Sequence, residues 1–302
     1  MRLVTPQGSD ARTIDSSAIV WEECACLLCD SGDYSPLLEA SDPRGGDTGL
    51  HFRIVRCNHC GLCFTNPRPG LVSIKQFYPA DYRCHRARPV GTKRCFQKAD
   101  PMRRLLPIRD RARLLDFGCG AGAFLRRMRA LGWNVAGLDM AEAAVARIRD
   151  QFGLPAHVGT LPSAHWPRAC FEAITMWQSL EHVHQPLEVL RAAHRLLTTG
   201  GRLLVAAPNF DSFASRWFGA SWYGLDLPRH LTHFTPQTLR MMLGRAGFEC
   251  VEMQQQQRNS WIRHSAERHR NRFLQTRIGS GLAGWWGRLS GRAESILAIA
   301  VK

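Results

Sequence analysis

From residue 112 onward the apolar positions follow two alternating rhythms. Leu114–Phe117, Val135–Leu138, Ala173–Trp177 and Leu203–Ala207 are short unbroken apolar runs, the pattern of strands buried on both faces. Between them Phe124, Met128 and Leu131, then Val145, Ile148 and Phe152, then Leu187, Leu190 and Leu197 recur at helical spacing. Strands alternating with amphipathic helices predict an α/β fold, a doubly wound parallel sheet with helices on both faces. Phe248–Met253 and Ile296–Val301 read as two further strands.

Upstream the rhythm is different. Residues 24–82 are rich in Cys, Pro and Gly, with short candidate strands at His51–Arg56 and Leu62–Thr65, the pattern of a small module stapled by metal. The expected organisation is a polar, disordered stretch over 1–20, a zinc-binding module over 21–82, a basic linker over 83–111, an α/β core over 112–255, and a basic C-terminal segment over 256–302 that ends in the last sheet strand.

Charge sharpens this division. The chain of 302 residues carries a formal +15. Residues 83–113 hold eleven Lys/Arg against two acids and residues 258–302 hold nine against two, so the rest is close to neutral. Such segments are ordinarily solvated faces; the sharper readings are attraction to nucleic acid, to an acidic membrane surface or to a phosphorylated substrate. The first residues carry no apolar leader-like run and no stretch has the roughly 20 apolar residues of a membrane span, so the expectation is a soluble, cytoplasmic protein.

Six of the eleven cysteines lie between Cys24 and Cys63. Cys26-x-x-Cys29 and Cys57-x-x-Cys60 are separated by 27 residues, and two tight turns can bring four thiolates around one tetrahedral zinc. Gly61 allows the second turn. A redox CxxC would need a thioredoxin-like βαβ context, which is absent here. Four sulfur ligands leave no open position, so the expected role is structural; Cys24 and Cys63 are alternative ligands.

The stretch "LLDFGCGAGAFL" carries the candidate ligand chemistry. Gly118, Gly120 and Gly122 follow Asp116 at a strand end and precede a helix, where a ligand can pack on bare backbone. The plainer reading is a tight strand-to-helix connection. A dinucleotide fingerprint is G-x-G-x-x-G, whereas this turn is G-x-G-x-G. Asp139 ends the next strand, where a carboxylate can accept from both hydroxyls of a ribose. The glycine spacing and Asp116 favour an adenosyl over a nicotinamide cofactor.

Together with "VAGLDM", "FEAITMWQSLEHV", "LLTTGGRLLVAAPN" and "LPRHLTHFTPQTLRMMLGRAGFE", this stretch resembles the class I S-adenosylmethionine-dependent methyltransferases over residues 112–255. "CNHCGLCFTNPRP" with the upstream CxxC resembles the zinc-binding N-terminal domain of a branch that includes deoxysugar C-methyltransferases. The resemblance implies a Rossmann-like, seven-stranded sheet whose final antiparallel strand is "SILAIAVK". It also implies that Asp116, Gly118, Gly120 and Gly122 line the methionine end of S-adenosylmethionine, that Asp139 holds the ribose, and that Met140 packs beside the adenine. Thr160 and Leu161 fall where an acid or amide usually meets the adenine amino group, a role Thr160 does not match. Glu172 replaces a frequent Asp before the fourth strand. Trp177 and Gln178 border the transferred methyl.

Methyl transfer needs a base only where the acceptor must lose a proton. Candidates are His230 and His233 in "LPRHLTHF", then Glu181 and His182, with His184 nearby; helix capping or loop orientation is the plainer reading of each. Some members of the resembled family with "LEH" at this place use the acid and histidine around a divalent metal. Gln178 stands where those relatives supply another acid, so no second metal is expected. In the C-terminal segment Leu282, Trp285, Trp286 and Leu289 repeat at amphipathic spacing beside Arg288 and Arg292. Core packing is the ordinary explanation of such a stripe, and peripheral contact with lipid the alternative.

The combined reading is methyl transfer from S-adenosylmethionine to a small molecule, with a sugar or glycolipid intermediate as the acceptor class and zinc as a structural ion. Its rival is a zinc-containing RNA-binding protein or RNA methyltransferase. That rival calls for aromatic stacking platforms among the basic residues, yet 83–113 contains one aromatic, Phe96.

Overall fold

The computed structural model describes residues 18–42, 49–78, 82 and 112–302. The expected basic linker and residues 1–17 lie outside them. Ile19 and Val20, expected to be disordered, are held in place: Ile19 is buried and the Val20 N–H donates to Ser73 Oγ at 2.9 Å.

The cysteine-rich region forms five short strands: β1 (Trp21–Glu22), β2 (Tyr34–Ser41), β3 (His51–Cys57), β4 (Cys63–Thr65) and β5 (Arg68–Pro69). β1 pairs with β5, and β2, β3 and β4 form an antiparallel sheet. The main sheet starts with β6 (Arg113–Phe117), followed by α1 (Ala123–Ala130), β7 (Asn134–Asp139), α2 (Glu142–Phe152), β8 (Ala156–Val158) and β9 (Phe171–Trp177). Next come α3 (Pro186–Leu196), β10 (Leu197–Pro208), α4 (Phe213–Phe218), β11 (Thr232–His233), α5 (Pro236–Arg245) and β12 (Glu249–Gln256). The chain closes with α6 (Asn259–Arg268), α7 (Arg272–Gln275), α8 (Arg277–Leu289) and β13 (Ser295–Val301).

Seven strands align in the order β12-β13-β10-β9-β6-β7-β8, parallel throughout except for β13, which is antiparallel to both neighbours. This is the Rossmann-like sheet that the sequence leads one to expect, with "SILAIAVK" as the inverted strand. Alternation along β6 divides the core. Leu114 faces Leu125, Met128, Val145 and Ile148 of α1 and α2. Leu115 belongs with Val189, Leu190, Leu239, Met242 and Leu243 of α3 and α5. Leu197, read as helical from its spacing, opens β10 instead.

The cysteine module is not a separate body. Cys26, Leu28, Val55, Leu62 and Phe64 join the same buried cluster as α3 and α5. β11, a segment from the far end of the chain, adds to the module's sheet by pairing His233 with Cys63 and Thr232 with Phe64. One expectation fails outright: Leu282, Trp285, Trp286 and Leu289 do not pack in the core but are 56–63% exposed.

Candidate active site and cysteine cluster

The two CxxC pairs converge. Cys26 Sγ lies 3.4 Å from Cys60 Sγ and Cys29 Sγ 3.5 Å from Cys57 Sγ, and all four sulfurs fall within 4.8 Å of one another. Four thiolates at 2.3 Å from one zinc would be spaced at about 3.8 Å, so this set fits a tetrahedral ion, while a disulfide would need about 2.05 Å. The backbone explains the convergence. Asp30 (φ 64°) and Gly61 (φ 75°) each follow the second cysteine of a pair in left-handed geometry. Their N–H groups return to the first cysteine's carbonyl, Asp30 to Cys26 at 2.9 Å and Gly61 to Cys57 at 3.0 Å. The role of Asp30 is not visible in the sequence, because aspartate enters this region less often than glycine. Cys24 and Cys63 lie outside the four-sulfur group.

At the C-terminal ends of β6 and β7, Gly118, Gly120 and Gly122 all take positive φ, at 71°, 52° and 73°. A Cβ at Gly118 would fall 2.5 Å from Ser179 Cβ, and one at Gly122 2.8 Å from Ile148. The fold itself therefore requires these two glycines, whatever a ligand asks of them. Gly120 makes the link to the candidate ribose carboxylate: its N–H donates to Asp139 Oδ2 at 2.7 Å, while the Ala141 N–H donates to Oδ1 at 2.9 Å. Asp139 is thus fixed at the strand tip, 8% exposed. A carboxylate is acceptor-only, which suits a pair of ribose hydroxyl donors, so the strand ends beside the glycine turn fit an adenosyl cofactor.

Asp116 is buried, and Thr175, its register partner on β9, donates to it at 2.7 Å. Burial pushes the Asp116 carboxyl up to about 7 against that hydrogen bond, with Asp139 adding to the rise. Trp177 lies against Phe124, ring centroids 5.2 Å apart. Gln178 takes a left-handed φ of 52°, costly for a side chain of this type and common where strands end in sites. Met140, next to Asp139, and Thr160 are both exposed, whereas Leu161 is buried in the core cluster. Glu172 accepts from the Arg113 N–H at 2.6 Å and so serves the start of β6.

The proton-handling candidates part company. Ser179, which donates to the Phe117 carbonyl at 3.0 Å, leads into a 3-10 turn carrying Glu181 and His182. His230 reaches this turn from the segment before β11, its Nε2 4.0 Å from Glu181 Oε1 and its ring 4.5 Å from that of His182. Nδ1 of His182 lies 3.0 Å from both the Arg229 carbonyl and the Tyr78 hydroxyl; the Gly224 carbonyl only accepts, so its bond to Nδ1 of His230 (2.8 Å) places a proton on that nitrogen. For a neutral ring, Nε2 is then the lone-pair nitrogen. Glu181 is fully buried and neither oxygen has a hydrogen-bond partner. Burial raises its carboxyl to about 8 and drives His230 well below the usual histidine range, the neighbouring His182 adding to the fall.

His233 lies near enough to lower the His230 pKa further but does not join the Glu181–His182–His230 group. The Thr65 hydroxyl donates to the His230 carbonyl at 3.0 Å, so its oxygen accepts from His233 Nε2–H at 3.1 Å. Burial lowers His233 to about 3, and its place in β11 ties the cysteine module to the core. His184 is also structural, its Nε2 donating to Pro69 O at 3.0 Å.

What fixes the segment bearing His230 is a buried ion cluster that the sequence does not reveal. Arg229 donates to Asp42 through Nη1 (2.9 Å) and Nη2 (2.6 Å), to Asp226 Oδ1 through Nη2 (3.1 Å), and to the Phe77 carbonyl (2.7 Å). The two carboxylates hold the guanidinium charged against its burial.

Known proteins agree with this architecture. The family described as "Methyltransferase domain" matches residues 91–253, more than half of the chain. The ubiquinone biosynthesis O-methyltransferase of Pseudomonas aeruginosa is 31% identical over 153 residues, 47% of this chain and 66% of that protein. Its Ruegeria pomeroyi counterpart is 37% identical over 152 residues, 46% of this chain and 61% of that protein. The chain therefore spans less than two thirds of either relative. In fold it resembles a solved complex of a methyltransferase activator and methyltransferase from Haloferax volcanii, with a TM-score of 0.54 at 18% identity over 69% of this chain and 90% of that one.

Proposed function

The chain belongs to the methyltransferase-domain family, and from that premise we propose that it transfers a methyl group from S-adenosylmethionine to a hydroxyl of a small molecule, of the sugar or glycolipid class. The carrying observation is the tie between the glycine turn and Asp139 at the ends of adjacent parallel strands, directly beside the turn that holds Glu181 and His182. When bound, S-adenosylmethionine supplies an electrophilic methyl on a sulfonium, open to in-line displacement. Asp139 accepts from the ribose hydroxyls, the Gly118–Gly122 turn offers its backbone to the methionine end, and Met140 covers the adenine. Trp177 and Gln178 border the reacting centre and keep water from it.

His230 takes the acceptor proton at Nε2, with Glu181 beside it. The imidazole offers a lone pair at Nε2 held by the Nδ1 bond to Gly224, and Glu181 is an unsatisfied carboxyl beside it. The relatives named as O-methyltransferases support an oxygen acceptor. The cysteine set holds a structural zinc. In this reading residues 21–82 buttress the segment that carries His230, residues 112–255 bind the cofactor and residues 256–302 complete the sheet.

One observation favours a second reading of the same cluster. Ligand atoms of Glu181, His182 and His230 lie within 4.8 Å of one another, and His230 donates Nδ1–H to a carbonyl, as metal-ligating histidines usually do. A divalent cation there would align the acceptor oxygen. The test of the main proposal is incubation with methyl-labelled S-adenosylmethionine and fractionated cell extract: a labelled small organic product supports it, and label found in RNA overturns it.

A further inference from the structure

α8 is amphipathic in the inverse sense. Its large apolar residues, Ile278, Leu282, Trp285, Trp286 and Leu289, fall within an arc of about 100° and are all more than half exposed. Its opposite face is made of small residues, with Ser280, Gly284 and Gly287 buried there and Gly279 buried at the edge of the stripe. That face is fixed by close approach. A Cβ at Gly279 would strike the Phe273 carbonyl oxygen, one at Gly284 would strike Asn259 and Gln257, and one at Gly287 would sit 3.0 Å from the Arg292 carbonyl. The helix therefore cannot roll its tryptophans inward without driving larger side chains into backbone. Among the described residues nothing covers the stripe, and Phe273, 59% exposed on α7, lies just before it in the chain.

The charge along this stretch of chain is of one sign, bounded by Glu267, which pairs with His264, and by the buried Glu294. Arg268, Arg270, Arg272, Arg277, Arg288 and Arg292 accompany the stripe, and no Asp or Glu occurs between Arg268 and Ala293. Paired indoles with leucine and isoleucine on one side and a rim of arginines match the boundary between acyl chains and anionic headgroups. A water-facing surface of this kind on a monomer marks an interaction site. Among the described residues no helix is long and apolar enough to cross a membrane, so the contact would be peripheral.

We infer that the outer face of α8 docks the protein on an anionic lipid bilayer. The indoles enter the interface, and the arginines meet the phosphates. This inference stands on α8 alone and is independent of the methyl-transfer reading.

The test is co-sedimentation of the full chain with unilamellar vesicles of phosphatidylcholine, with and without phosphatidylglycerol. Binding is expected to require phosphatidylglycerol, to weaken with salt, and to fall roughly tenfold or more in Trp285→Ser/Trp286→Ser. Both positions are exposed, so circular dichroism should show the variant folded as the wild type. Arg277→Gln/Arg288→Gln, which leaves the apolar face intact, should lose the preference for anionic lipid. Absence of vesicle binding, or binding unchanged in the tryptophan variant, overturns the inference. Self-association that the tryptophan variant abolishes, without vesicle binding, also overturns it and gives the stripe to a second copy of the chain.

Discussion

Asp42→Asn should destabilise the protein far more than a change at the end of a small peripheral sheet ordinarily would. Asp42 and Arg229 are 2% and 1% exposed at the side chain, and their carboxylate and guanidinium share two hydrogen bonds of 2.6 and 2.9 Å. Charge-assisted bonds of this kind contribute about 1.5–3 kcal/mol each, and breaking a buried pair typically costs about 3–5 kcal/mol. Asp226 still faces the guanidinium, which puts the expected loss near the lower bound, about 3 kcal/mol. Asparagine keeps the shape but can accept only through its single carbonyl oxygen, and its amide N–H groups would face those of Arg229. Because the Arg229 carbonyl orients His182, turnover should fall together with stability. Equilibrium urea unfolding followed by circular dichroism measures the first effect. A loss below about 1 kcal/mol would show that the pair is not the clamp between the cysteine module and the core.

Cys57→Ser should release about one zinc per chain by elemental analysis and unfold the module, since metal binding and folding are coupled by on the order of 10 kcal/mol; full zinc retention would count against the four-sulfur site. For Asp116 the folded state raises the carboxyl from 3.8 to about 7, so the folded protein holds this proton more tightly and loses stability as pH climbs between those values. Asp116→Asn should abolish that loss, gaining up to about 4 kcal/mol on wild type at pH 8 and little at pH 4 in urea melts of the cofactor-free protein; parallel pH profiles would refute the burial argument. Once a product is known, His230→Ala should lower turnover roughly 10²–10⁴-fold at nearly unchanged cofactor affinity, whereas His233→Ala should chiefly lower stability. Loss of wild-type turnover on dialysis against EDTA, restored by a divalent cation other than zinc, would favour the metal reading of the same cluster.

The central strands were legible because they are buried on both faces: Leu114–Phe117 or Ala173–Trp177 can hardly be anything else in an alternating α/β pattern. β8 was missed because three residues at a sheet edge leave no periodicity, and β2 because Pro36 and exposed Leu37 break its alternation. The convergence of Cys26, Cys29, Cys57 and Cys60 follows from their spacing. The separation of His230 from His233 does not, since a three-residue interval in irregular chain says nothing about direction until Thr65 and Gly224 hold each ring. Arg229 and Asp42 lie 187 positions apart, and no local signal joins them. α8 shows the same limit: a helical wheel reports that one face is apolar, and only the buried glycines opposite reveal that this face points outward.

Calorimetric titration of S-adenosylmethionine into wild type and Asp139→Ala tests the central claim most directly. The geometry predicts binding by the wild type that is weaker by roughly 2–4 kcal/mol in the variant, the value of two hydrogen bonds to a charged acceptor. No heat of binding with folded, zinc-replete wild type, or equal affinity in the two proteins, would contradict the assignment of this crevice.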